Sequence, residues 1–353
     1  MKKTALFPLY LPTIFSGAKS FRDNPVIGSR ILNLCGLHVF RILLADTIYK
    51  IRRIPFTFGI SSADRKSFNE NGFVQRENFL PQELFTKIQN EVLNYNGKAR
   101  QCVQGDTITW RVFLDDETLE NLPALKMLAE NKQYNNLIKY ASAYASRPLL
   151  YIQQIQNRVS SDFADPQKNL HSDTFHPNIK AWLFLEDVTP EKGPFTYVPG
   201  SQKISSKRLK WEYKKSVNGK NLNDRYSEKG SFRLTEQDRV ELGFNEPKAF
   251  TVKKNTLVVG NTNGFHARGD VQGENVTRLE IWAYTRPSPF NPFPGVDAKI
   301  FRVWRNNLFK KYLERMDEKA AKRNAKSSWH ISPNNSVITK SDDLMKPAQK
   351  KAA

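Results

Sequence analysis

Two histidines and an aspartate carry most of the chemistry this sequence offers. His171-Ser172-Asp173 is a His-x-Asp pair at the edge of a strand-like run, and His266 follows just past the run Asn255–Gly260. In an extended chain, residues i and i+2 point to the same side about 6.5 Å apart, so both side chains can turn onto one ion. Two imidazoles and one carboxylate leave three coordination positions open, which suits Fe(II) chemistry that takes a cosubstrate and O2 together. A lone His-x-Asp also fits a surface loop, and His266 alone fits a hydrogen-bonded core histidine. His176 is close enough to compete as a ligand. Asp173 supplies the carboxylate at the better spacing, so His176 reads as a neighbour of the site or a surface residue.

The elements that would position these residues change character along the chain. Residues 61–97 read as a helix, the short strand Gly72-Phe73-Val74 and a second helix entered at Pro81. Residues 118–146 read as helical. From Leu149 onward short alternating runs appear: Leu149–Val159, Ile179–Leu185, Phe195–Val198, Phe250–Val259 and Val276–Tyr284. Gly, Pro, Asn and Asp punctuate them, the pattern of an antiparallel β sandwich or barrel. Residues 202–248 form a polar insertion, long for a structureless loop and a candidate lid or binding segment.

Helices are also expected at both ends. Over Ile27–Ile54, Leu37, Phe40, Leu44, Ile48 and Ile51 line one helical face, with His38, Arg41, Lys50 and Arg53 elsewhere. That face suits a basic helix on an anionic membrane or a helix packed on the main domain. Near the other end, Asp297–Lys326 reads as a basic helix with Ile300, Trp304, Leu308 and Tyr312 at four-residue steps, followed by a polar tail. The expected units are a basic extension over 1–64, a β-rich domain over 65–296 and a basic helix with its tail over 297–353.

Composition narrows the class. The 353 residues are 39% hydrophobic and include 23 Phe and 12 Tyr, which excludes a disordered or fibrous chain. Two cysteines, Cys35 and Cys102, exclude a disulfide scaffold or a cysteine-rich zinc module and favour a reducing, cytoplasmic setting. The net charge is +20, of which residues 1–66 carry +8 and residues 299–353 carry +9, leaving the middle near neutral. An anionic partner would therefore meet the flanks: a membrane surface, at which the protein would sit peripherally, or an acidic carrier protein. Nucleic acid is disfavoured, because no helix-turn-helix, zinc finger or RNA-binding signature accompanies the charge. No run is long and apolar enough to suggest a membrane span. Lys2-Lys3 and the apolar run after them loosely mimic a leader, which Pro8 and Pro12 interrupt.

The segment His171–Lys203, HSDTFHPNIKAWLFLEDVTPEKGPFTYVPGSQK, resembles the phytanoyl-CoA dioxygenase family of non-haem iron and 2-oxoglutarate dependent oxygenases. So do YIQQIQN at Tyr151–Asn157, GFVQRENFLPQEL at Gly72–Leu84, and GNTNGFHARGD with TRLEIWAYTR between Gly260 and Arg286. The resemblance spans about residues 65–290. It implies a β-rich α+β fold, a double-stranded β-helix (jelly roll, cupin-like) with flanking helices. It also implies Fe(II) on His171, Asp173 and His266, with 2-oxoglutarate and O2 as cosubstrates.

By the same resemblance Arg278 holds the far carboxylate of 2-oxoglutarate, with Arg268 as a rival. A guanidinium fork pairs two-pronged with a carboxylate, whereas Lys is a point charge. Trp182 matches an aromatic beside the cosubstrate or a core tryptophan, and Gln154 and Gln156 resemble polar residues that reach its pocket. Gln202 and Ala267 depart from the family, where His and Gly are frequent. The expected reaction is hydroxylation of an aliphatic carbon with release of succinate and CO2. Its substrate would be lipidic, an acyl thioester or a small biosynthetic molecule. The alternatives are a catalytically silent metal- or ligand-binding member of the fold, a basic peripheral membrane protein and a nucleic-acid binder.

Overall fold

A computed structural model describes residues 7–157, 163–271 and 276–332. Among these residues the strands are β1 Phe73–Arg76, β2 Arg100–Gln104, β3 Thr107–Phe113, β4 Leu149–Asn157, β5 Ile179–Phe184 and β6 Phe195–Tyr197. The series continues with β7 Lys248–Ala249, β8 Leu257–Asn261, β9 His266–Arg268, β10 Thr277–Thr285 and β11 His330–Ile331. Eight of them form one antiparallel sheet in the order β1-β8-β5-β10-β4-β3-β2-β11, and β7-β6-β9 form a smaller one. The architecture is the expected β-rich α+β jelly roll with helices outside it.

Strand alternation builds two distinct layers. Ile179, Ala181 and Leu183 of β5, Ile281 and Ala283 of β10, and Leu150 and Ile152 of β4 face outward. There they pack under helices that contribute Phe85, Ile88, Leu125, Leu128 and Ile138. Tyr151, Trp182, Phe184 and Trp282, from the same strands, face the small sheet. Trp182 stacks on Phe195 of β6 with ring centroids 4.1 Å apart. The space between the sheets that these aromatics leave open is the cavity described below.

Three elements differ from the sequence expectation, and a fourth, the C-terminal helix, lies where it is expected. The hairpin β2–β3 was not anticipated; it turns at Gly105, whose φ of +55° favours glycine. The 202–248 insertion is folded, with helices Ser206–Val217, Arg225–Glu228 and Glu236–Leu242. Its Trp211, Phe232, Leu234 and Leu242 share a core with Phe21, Ile27 and Phe265, which makes it a packed layer. The expected helix over Ile27–Ile54 is broken at Gly36, giving helices Arg30–Leu34 and Leu37–Arg53. In the second of these the buried side is the polar one, with Arg41, Tyr49 and Arg52 inward and Phe40 and Ile51 exposed. The C-terminal helix, Lys299–Ala321, likewise leaves Ile300, Trp304, Leu308 and Tyr312 exposed.

Arg41 explains that inversion. Its guanidinium lies 4.3 Å from the Phe175 ring centroid and donates to the carbonyls of Ile14, Ser16 and Ala18 at 2.8, 2.8 and 2.6 Å. One fully buried side chain thus satisfies three carbonyls of an irregular segment, which otherwise have no ladder to join. Arg41→Leu is expected to cost ~3 kcal/mol, because charged bonds are lost and buried carbonyls stay unpaired. Denaturant unfolding measures the loss, and hydrogen exchange should speed up selectively over residues 14–19; unchanged exchange there would contradict this account.

Candidate metal centre and substrate cavity

His171 and His266 meet through their backbones. They exchange two hydrogen bonds, each N–H donating to the other's carbonyl at 2.9 Å, in an isolated antiparallel bridge. This sets the two rings 4.5 Å apart, centroid to centroid. Asp173 is fixed by its own N–H, which donates to Thr262 O at 2.9 Å. Its Oδ1 lies 3.9 Å from His171 Nε2 and 3.7 Å from His266 Nε2. One donor atom from each of the three residues lies within 4.8 Å of the others.

Protonation of the rings follows from their neighbours. His171 Nδ1 is 2.8 Å from Asn169 O, and His266 Nδ1 is 3.0 Å from Gly264 O. A carbonyl only accepts, so each Nδ1 carries the hydrogen and each Nε2 keeps a lone pair. Both Nε2 atoms are buried without a hydrogen-bond partner among the described residues. Buried polar atoms are rarely left this way. A second ring nitrogen donating to a carbonyl is the usual support of a metal-bound histidine. Burial, then the neighbouring His266 and Arg233, holds His171 well below its ordinary pKa; burial above all brings His266 to about 4. Burial opposes ionisation of Asp173, but the Lys180 ammonium outweighs it and keeps the carboxyl well below its usual range. The set is therefore two neutral imidazoles and a carboxylate, a donor set that fits a divalent iron.

Residues around Asp173 were not foreseen from the sequence. Lys180 Nζ lies 2.7 Å from Asp173 Oδ2, and Asn178 Nδ2 donates to the same oxygen at 3.2 Å. Together they turn Oδ1 toward the histidines. Lys180 shares the inward side of β5 with Trp182, so alternation along that strand was a usable signal. Lys19, whose ammonium donates to Asp173 O, arrives from the N-terminal segment, and nothing local in the sequence marks it. His176 is buried rather than on the surface; its Nδ1 is 3.1 Å from Pro177 O, and it is not part of the ligand cluster.

The triad opens into a cavity of about 940 Å³ that Trp182, Arg268 and Arg278 also line. Gln154 and Gln156 are a correction: neither lines it, whereas Gln153 and Ile155 do. On β4 the side shared by Leu150 and Ile152 faces the helices, and Gln154 and Gln156 fall on that side by alternation. An offset of one residue exchanges the two faces of a strand. Gln153 Oε1 accepts from Arg111 Nε at 2.6 Å, and its amide donates to Glu280.

Glu280 in turn accepts from Arg278 Nε at 2.9 Å, and Arg278 Nη1 donates to Gly193 O. Arg278 Nη2 has no hydrogen-bond partner among the described residues. Gly193 sits at φ +61°, and a Cβ there would fall 2.7 Å from Val271 Cγ2, so the carbonyl under Arg278 depends on glycine. Arg268 is more fully engaged, with Asp165 at 2.7 Å and Thr109 Oγ1 at 3.5 Å.

The phytanoyl-CoA dioxygenase (PhyH) family matches residues 68–237. That segment belongs to the phytanoyl-CoA dioxygenase family. The chain is accordingly a 2-oxoglutarate-dependent oxygenase whose cofactor is Fe(II) and whose cosubstrates are 2-oxoglutarate and O2. The match includes His171 and Asp173 and stops short of His266, which the fold brings to the pair.

No curated protein matches the chain. Among solved structures it is similar to the epimerase SnoN in complex with Fe3+, alpha ketoglutarate and nogalamycin RO. That likeness has 15% identity, a TM-score of 0.41, and covers 63% of this chain and 81% of that one. It is also similar to HygX from Streptomyces hygroscopicus with nickel and 2-oxoglutarate bound, at 16% identity and a TM-score of 0.39, over 64% and 86% of the two chains. EctD from S. alaskensis has 16% identity and a TM-score of 0.37, over 64% and 76%. At these scores the likenesses carry nothing about substrate.

Replacing Lys180 with Met should weaken metal binding roughly ten- to hundredfold, the usual loss when a ligand loses its outer partner. His171→Ala should abolish it. Anaerobic titration calorimetry with Fe(II) distinguishes the two, and an unchanged affinity in His171→Ala would remove the triad from consideration.

Proposed function

We propose that this chain hydroxylates an aliphatic carbon of a substrate that carries an anionic group. His171, Asp173 and His266 would hold Fe(II), which with 2-oxoglutarate supplies the chemistry: O2 is consumed, one oxygen enters a C–H bond, and succinate and CO2 are released. The observation that carries the reading is the pair of unpartnered, buried Nε2 atoms facing one carboxylate oxygen at the cavity.

What the chain's own residues contribute follows from their charges. Arg278 would grip the far carboxylate of 2-oxoglutarate through its remaining nitrogen, while Glu280 and Gly193 hold the fork in place. Trp182 and Phe195, stacked beside His266, form the apolar wall that keeps water away. At 940 Å³ the cavity is near the large end of ligand pockets, about 300–1,000 Å³, so it has room for a substrate beside 2-oxoglutarate.

Nine Lys and Arg line the cavity against three acids. Several are already neutralised: Lys180 by Asp173, Arg268 by Asp165, Arg100 by Asp317 and Lys310 by Asp115. Lys19, Arg111 and Arg286 have no carboxylate partner among the described residues. Burial, then Arg286, lowers the Lys19 pKa to about 8, so an arriving anion would stabilise its charged form. Arg111 packs its guanidinium on Trp282 and Trp329, 3.7 and 4.4 Å from their centroids, so aromatic rings rather than water cover its charge. An anionic head beside an apolar chain matches that mixture of cations and aromatics.

Two measurements test this. Arg278→Ala should raise the KM for 2-oxoglutarate roughly ten- to hundredfold, the equivalent of about 1.5–3 kcal/mol for a charge-assisted bond. Arg268→Ala should raise it less, and the reverse order would move the anchor to Arg268. Succinate release with long-chain fatty acids and with their methyl esters tests the charge. Stimulation by the acids alone is expected, and equal stimulation by the esters would sink the anionic assignment.

A further inference from the structure

Of the apolar face read from the sequence of the Leu37–Arg53 helix, Phe40 and Ile51 are exposed and Leu37, Leu44 and Ile48 are half-buried. Inward are His38, Arg41, Ile42, Ala45, Tyr49 and Arg52. Each polar one is bonded: His38 Nε2 lies 2.9 Å from Glu212, Tyr49 OH donates to Ala141 O at 2.7 Å, and Arg52 donates to the carbonyls of Ser288 and Asn291 at 2.9 and 2.8 Å. Outward, Phe40, Leu43 and Ile51 are 50%, 44% and 58% exposed. The fold buries cations here and leaves large apolar side chains outside, the opposite of what water alone favours.

The C-terminal helix repeats the arrangement. It is held by polar contacts: Arg302 to Asp116 at 2.9 Å, Arg305 to Arg147 O at 2.6 Å, and Lys310 to Asp115. Ile300, Trp304, Leu308 and Tyr312 stand outside at steps of four, one row along a helix. Among the described residues, ten of the exposed large apolar side chains fall between Leu9 and Phe58, and seven between Phe293 and Tyr312. The segment Ser288–Val296 links the two regions. Phe290 packs edge-on against Phe15, Arg52 holds Ser288 and Asn291, and Phe293 and Val296 next to them are exposed. Large apolar side chains exposed in such concentration on two flanks mark a binding surface rather than scattered exposure.

We propose that this surface docks the protein on an anionic lipid bilayer. Exposed cations flank it, Arg30 and Lys50 on the N-terminal side and Lys299, Lys311, Arg315 and Lys319 along the C-terminal helix, and such long stems let charges reach headgroups while the stems lie against acyl chains. A second copy is the poorer occupant, because it would bring two strongly basic flanks together. No helix of the described residues is long and apolar enough to cross a membrane, so the docking is peripheral. Phe309, Lys310, Tyr312 and Leu313 of the C-terminal helix also line the cavity. Docking therefore brings one wall of the cavity close to the lipid surface, which suits an amphiphilic substrate. The docking rests on the exposed faces and stands or falls independently of the catalytic reading.

Co-sedimentation of the full chain with vesicles tests this, using phosphatidylcholine alone and phosphatidylcholine mixed with phosphatidylglycerol. The expected result is recovery with the phosphatidylglycerol vesicles, declining with added salt. Phe40→Glu and Trp304→Glu, at exposed positions outside the cavity lining, should each lower partitioning roughly tenfold. Both should keep the wild-type melting temperature and Fe(II) affinity, which separates lost docking from misfolding and from a failed metal centre. Equal recovery in the supernatant with both vesicle types would overturn the proposal. So would salt-insensitive binding to phosphatidylcholine alone, or a wild-type dimer in sedimentation equilibrium that the same substitutions convert to monomer.

Discussion

Two backbone hydrogen bonds between His171 and His266 hold the rest of the site in register. Their side chains become neighbours because their peptide groups pair, and the pairing leaves each Nδ1 facing a carbonyl and each Nε2 facing Asp173. The cost of keeping two imidazole nitrogens buried and unpartnered is borne by the pairing around them: His266 is held in β9 against β6, and His171 is bridged to His266 and to Arg233. A looser scaffold would let those nitrogens turn to water or to a nearby donor.

Charge is handled in the same spirit around that centre. Asp173 is neutralised on one oxygen by Lys180 and Asn178, which leaves the other oriented and ionised. Arg278, Glu280, Gln153 and Arg111 form a connected polar chain across the inner faces of β10, β4 and β3. Each member fixes the next, so the cation at the end of the chain is placed before any ligand arrives. Such preorganisation lowers the ordering cost of binding.

The N-terminal segment joins the outer surface to this centre. Arg41 ties residues 14–18 to the Leu37–Arg53 helix, and the next residue along, Lys19, reaches Asp173 O. The family match begins only at residue 68, so this connection belongs to the chain's own extension. It accounts for polar residues occupying the inside of a helix that leaves Phe40 and Ile51 exposed.

The sequence by itself offered the His-x-Asp pair and most strands of an antiparallel β sandwich or barrel, because that pair, period-two alternation and turn residues are local signals; the jelly-roll class came from the family resemblance. The sequence also showed the apolar row on each terminal helix. Only the tertiary structure decided which way those rows face, since periodicity identifies a face without saying what covers it. It likewise decided that Gln153 rather than Gln154 enters the cavity, because a strand's register depends on its neighbours and not on its own residues. Lys19 illustrates the same limit: it lies far from Asp173 along the chain, and no property of its neighbours in sequence marks it as part of the site. Contacts of that kind come from the global path of the backbone, which local propensities constrain but do not specify.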